Sequence, residues 1–136
     1  MSDALNDIID VFQSVDAETR LDLLLDYSGR MPKLPEKDQS QAAQYLARVQ
    51  ECMTPVFLWM EKEGDKLRIF AEVAEEAPTV KGFVSILIAA FDNQPCADVA
   101  AAPTDLVKQL GLDGQIRMNR AVGLTAILSR VRRAAA

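Results

Sequence analysis

Histidine is absent from this chain of 136 residues, and cysteine occurs only twice. These scarcities remove whole classes of chemistry. A closed zinc site takes four ligands, usually Cys and His, and at most two exist here, so no metal is expected. Papain-like thiol chemistry and Ser-His-Asp hydrolysis both need an imidazole to take the nucleophile's proton. Glycine is sparse as well, and none of the six forms a G-x-G-x-x-G or P-loop pattern. Long apolar runs are lacking: the longest charge-free run that reads as one element, Gly82 to Phe91, is too short to span a bilayer. The opening stretch MSDALNDIIDVF is acidic and carries no signal-peptide pattern. The expectation is a cytoplasmic protein whose thiols stay reduced, with no membrane contact. Cations are outnumbered, and a net charge of -5 argues against nucleic acid, whose binders need a basic stripe to displace counterions. The one basic cluster, Arg130, Arg132 and Arg133, suits the C-terminal end of a helix dipole.

What remains is a composition about half apolar and a quarter charged, in a length that suits one domain over 1–136. Leu5, Ile8, Ile9 and Phe12 fall at helical spacing behind Ser2 or Asp3 as cap. Asp16 caps a second helix with a Leu21, Leu24, Leu25 stripe that ends near Gly29. Two prolines bar a helix through Met31–Pro35, and a weaker third helix is read over Lys37 to Arg48.

After Pro55 the period becomes two. Val56, Leu58 and Met60 share one strand face and Phe57 and Trp59 the other. That strand is apolar on both sides and is therefore expected to be covered, with its aromatics in the core. Gly64-Asp65 turns the chain into Leu67, Ile69, Ala71 and Val73, which alternate with Lys66, Arg68 and Glu72. Pro78 opens a helix apolar almost all round, the spine of the core. Short helices follow near Pro95–Ala101 and Thr104–Leu110, the second closed by Gly111. A last helix carries Leu124, Ile127, Leu128 and Val131, with Asn119 as cap. Helices, a hairpin, then helices define an α+β fold: a small antiparallel sheet of a hairpin and one further strand, packed against several helices.

Two thiols compete for attention. An unpaired cysteine is first of all a small core residue. Cys52, however, sits between a helix and a strand, beside Glu51 and just before the turn that Pro55 fixes. Cys96 reads as a helix-start residue, and a Cys52–Cys96 disulfide does not suit a reduced compartment. Glu75-Glu76 read as a solvated turn.

Four stretches bear a likeness to a known family. They are Val49-Gln50-Glu51-Cys52-Met53-Thr54-Pro55-Val56-Phe57-Leu58, Val80-Lys81-Gly82-Phe83, Arg120-Ala121-Val122-Gly123-Leu124-Thr125-Ala126-Ile127, and the helix exit Tyr27 to Pro35. In this order and spacing the chain resembles the SufE family, sulfur acceptors of cysteine desulfurases in iron–sulfur cluster assembly. Where many members read Gly-Cys-Gln-Ser, this chain has Glu51-Cys52-Met53-Thr54, and Ala74 and Pro78 also depart from the pattern.

The resemblance implies that Cys52 takes persulfide sulfur from a pyridoxal-phosphate desulfurase, stimulates it, and delivers the sulfur to a cluster scaffold. The chain would hold no cofactor of its own, and a homodimer is left open. Glu51, Met53, Thr54, Lys81 and Arg120 become supporting or partner-contact residues. Arg120 stands either as cationic help near the thiol or in a surface salt bridge. Glu51 would disfavour the thiolate as a like charge, while Met53, Val56 and Phe57 would shelter a persulfide. The rival reading, from the residues alone, is a non-catalytic interaction module in which Cys52 only packs.

Overall fold

The computed structural model describes residues 3–32, 34, 48, 49, 55–113 and 118–136. Helix α1 spans Asp3–Gln13 and turns Leu5, Ile9 and Phe12 into the core. Helix α2, Ala17–Ser28, starts where Asp16 accepts a hydrogen bond from the Thr19 N–H at 2.8 Å. That bond stabilises the charged carboxylate and holds the Asp16 pKa below its ordinary 3.8. The predicted leucine stripe of α2 divides: Leu24 is fully buried, but Leu21 and Leu25 are 37% and 39% exposed. The cause is a close helix crossing. A Cβ placed on Gly82 would stand 2.2 Å from the Leu24 carbonyl oxygen, so the neighbouring helix meets α2 along a narrow line through Leu24.

Strand β1, Val56–Glu63, pairs antiparallel with β2, Lys66–Val73, in a register from Val56↔Val73 to Glu63↔Lys66. The connecting turn puts Gly64 at φ 63°, where a side chain would be strained. A two-residue strand β3, Gln94–Pro95, pairs with the start of β2 and gives the order β1-β2-β3. It is the further strand anticipated from the sequence. Its approach is held by Asp92, whose carboxylate accepts from the Ile69 N–H at 2.9 Å and the Arg68 guanidinium at 3.0 Å. Asn93, at φ 59°, then donates its N–H to the Leu67 carbonyl.

Alternation works as read, with Val56, Leu58, Leu67, Ile69, Ala71 and Val73 all buried. Strand β1 is outermost in the sheet order, bridged by Arg48 on its far side, and β2 is central. One expectation is corrected. Phe57 and Trp59 are half-buried rather than core, stacked on each other with ring centroids 6.3 Å apart. The reason is layering: the deep core lies on the opposite sheet face.

Helix α3, Pro78–Phe91, begins with proline in its first turn and buries ten residues. It packs against α1, α2 and β2, the spine role expected of it. Helices α4, Cys96–Ala100, and α5, Leu106–Gln109, follow. Gly111 at φ 73° ends α5 with paired bonds from Gly111 N–H to Lys108 O and from Leu112 N–H to Val107 O. Helix α6, Met118–Ala135, buries Leu124, Ile127, Leu128 and Val131. Asn119 lies inside α6, not at its cap, because the helix is already formed at Met118. Arg130 and Arg132 donate to the carbonyls of Arg48 and Ala100, so these cations fasten α6 to neighbouring segments besides facing its dipole. Most of the helix read over 37–48 lies outside the described residues, but Arg48 forms an antiparallel bridge with Phe57. Among the described residues no helix is long and apolar enough to cross a membrane.

Candidate functional site

Residues Glu51, Cys52, Met53 and Thr54 lie outside the described structure, so the site is built from what flanks them. On one side Val49 is fully buried; on the other Val56 is fully buried on the inner face of β1. The Val49 N–H donates to the Val56 carbonyl at 2.9 Å, one step from the Arg48↔Phe57 bridge. The cysteine-bearing stretch therefore starts and ends at a single rung of antiparallel backbone. Of the residues expected to shelter a persulfide, Val56 is fully buried, Phe57 is half-buried, and Met53 lies outside the described residues.

Beside the rung is a cleft of about 800 Å³. Pro55 and Phe57 form its wall at the start of β1, and Met31, Pro32 and Leu34 close it from the exit of α2. The end of β2 and the following turn supply Glu72, Ala74 and Glu75, and α3 supplies Lys81. The Ala74 N–H donates to the Pro55 carbonyl at 3.3 Å, joining the two walls.

Lys81 is the sequence-predicted residue that the structure brings to this cleft. Its side chain is 17% exposed and pairs with the Glu75 carboxylate, itself 83% exposed. The ammonium is thus held at the cleft by a partner that stands in water. Glu75 and Glu76 are exposed, as a solvated turn requires. Arg120 is in α6, and its side chain lies outside the described structure. Cys96 is a half-buried free thiol opening α4, and its N–H donates to the Asp65 carbonyl at 2.7 Å, which ties α4 to the hairpin turn. Among the described residues no group of three or more Cys, Asp or Glu side chains could hold a metal ion.

Sequence reasoning missed three features. The cleft itself joins residues far apart in the chain, and only the paired prolines of Met31–Pro35 hint at a non-helical wall there. Arg48 gives no signal, since the spacing reads it as the end of a helix. Arg130 registers only as part of a cationic helix end.

A family model described as "SufE: Fe-S metabolism associated domain" matches residues 6–135. The chain belongs to the SufE family. An uncharacterized SufE-like protein of Mycobacterium tuberculosis is 35% identical over 130 residues, covering 95% of this chain and 89% of its own length. The sulfur acceptor protein CsdE of Escherichia coli is 28% identical over 100 residues, 72% of this chain and 64% of that protein. The solution structure of a hypothetical protein from Thermus thermophilus has a TM-score of 0.83 at 30% identity, covering 97% of this chain and 93% of that one. For this SufE-family chain, the Val80-Lys81-Gly82-Phe83 stretch acquires distinct physical roles. Gly82 admits α2, Val80 and Phe83 fill the core, and Lys81 faces the cleft.

Proposed function

We propose that this protein is a sulfur acceptor that takes persulfide sulfur onto Cys52 from a cysteine desulfurase and passes it to an iron–sulfur scaffold. The observation that carries the reading is the cleft at Pro55, a few residues along the chain from Cys52, in a member of the SufE family. The Escherichia coli relative, whose name is that of a sulfur acceptor, supports it.

The chemistry is thiol exchange. The Cys52 thiolate attacks the outer sulfur of the desulfurase persulfide. The S–S bond within that persulfide breaks and its inner sulfur leaves as the desulfurase's thiolate, while a new S–S bond forms on Cys52. The sulfur moves without change of oxidation level, so no oxidant or reductant enters. A chain without histidine can serve because the groups that activate the thiol belong to the desulfurase. That enzyme's pyridoxal phosphate does the carbon–sulfur chemistry, and this protein clears the product. Lys81, paired with Glu75, is the cation of the cleft lining.

The test is intact mass after incubation with a desulfurase and free cysteine. Wild-type protein and Cys96→Ala gain one sulfur atom; Cys52→Ala gains none. Equal partner binding by Cys52→Ser, with no mass gain in wild type, identifies an interaction module instead.

A further inference from the structure

We propose that Arg130 is a positioning residue for Cys52, acting through the backbone rung at the root of the cysteine-bearing stretch. The proposal deepens the sulfur-acceptor reading and rests on it.

Three observations converge on this rung. The Arg130 guanidinium, from α6, donates to the Arg48 carbonyl at 2.6 Å across 82 residues of sequence. Arg48 bridges Phe57, and its own guanidinium lies 5.9 Å from the centroid of the Phe57 ring. The Val49 N–H, next along the chain, donates to the Val56 carbonyl. A hydrogen bond from a charged donor is stronger than a neutral backbone bond. This one reaches the outer side of the rung, where the described residues pair with β1 through one isolated bridge.

Apart from Arg130, residues 48 and 49 are held by their pairing to β1, by the Arg48 guanidinium over the Phe57 ring and by the buried Val49 side chain. Arg130 fastens them to α6, an 18-residue helix whose inner face of Leu124, Ile127, Leu128 and Val131 is buried in the core.

Phe57 belongs to both the rung and the cleft wall. The same fastening therefore sets where the cysteine-bearing stretch begins and how the wall beside it stands. Placement at this accuracy matters to transfer, since a reacting atom displaced by a fraction of its contact distance loses rate steeply.

The experiment compares the full chain with Arg130→Met and Arg130→Lys by two measurements on the isolated protein. The first is amide hydrogen exchange at Val49, with Leu87 and Ile88 of α3 as internal reference. The second is the rate of iodoacetamide labelling at Cys52, read by peptide mass. Arg130→Met is expected to speed Val49 exchange and Cys52 labelling by about tenfold, the scale of one hydrogen bond to a charged group, with α3 unchanged. Arg130→Lys keeps a cationic donor and restores part of both. Unchanged Val49 exchange, unchanged Cys52 labelling, or parallel acceleration of Val49 and α3 would each overturn the proposal. Neither measurement uses a desulfurase, so a wild-type protein that gains no sulfur removes the acceptor reading separately.

Discussion

Gly82 and Lys81 are adjacent in sequence and answer to different demands. Gly82 is where α3 touches the backbone of α2, and a methyl group there would stand 2.2 Å from the Leu24 oxygen. Alanine is ordinarily the better helix former by about 1 kcal/mol, but backbone atoms cannot yield as a flexible side chain does. Gly82→Ala is expected to lose about 1–3 kcal/mol net through overpacking, seen as a lower urea midpoint at unchanged slope. Lys81, one position earlier, reaches the cleft. The motif is visible in the sequence, yet its division of labour is not. The clash partner of Gly82 is 58 residues away, at Leu24, and no local pattern encodes a distance of that kind.

At the scale of elements, the features most legible in the sequence are local ones. Asp16 is followed three residues later by the N–H it caps, and Gly111 supplies the left-handed turn that α5 needs. Both are decided within one helical turn. The capping bond also carries a pH dependence. Because the folded-state pKa of Asp16 lies below its ordinary 3.8, the stabilisation is complete above that value and fades as pH falls through the folded pKa. Asp16→Ala is therefore expected to unfold at lower urea than wild type at neutral pH, with the gap narrowing in acid well below 3.8. The placement of β1 is less legible. Its residues are apolar on both faces, as in a central strand, but it is outermost in the sheet order, and Phe57 and Trp59 stack on its half-buried side. Strand order is a tertiary property, and alternation reports faces, not neighbours.

Taken whole, the molecule separates a core from a cleft. The core runs through α3, the inner sheet face and α6, with Phe83, Phe91 and Leu124 fully buried. The α+β class and the core helix are readable because apolar spacing alone specifies them, whereas the cleft is assembled from the exit of α2, two strand ends and α3. The separation predicts two different phenotypes. Phe83→Ala should cost about 3–5 kcal/mol of stability, measured by urea unfolding. Ala74→Phe, on the half-buried cleft wall, should leave the urea midpoint near wild type while slowing sulfur uptake by Cys52 in the mass assay.

The rung between Val49 and Val56 has a mechanical corollary. It makes the intervening chain a short leash knotted at both ends. Cys52 is three peptide steps from Val49 and three from Pro55, so its Cα can travel no farther than roughly 11 Å from either post. On the proposed sulfur-acceptor reading, a donor and any acceptor downstream must both come within that reach of the rung.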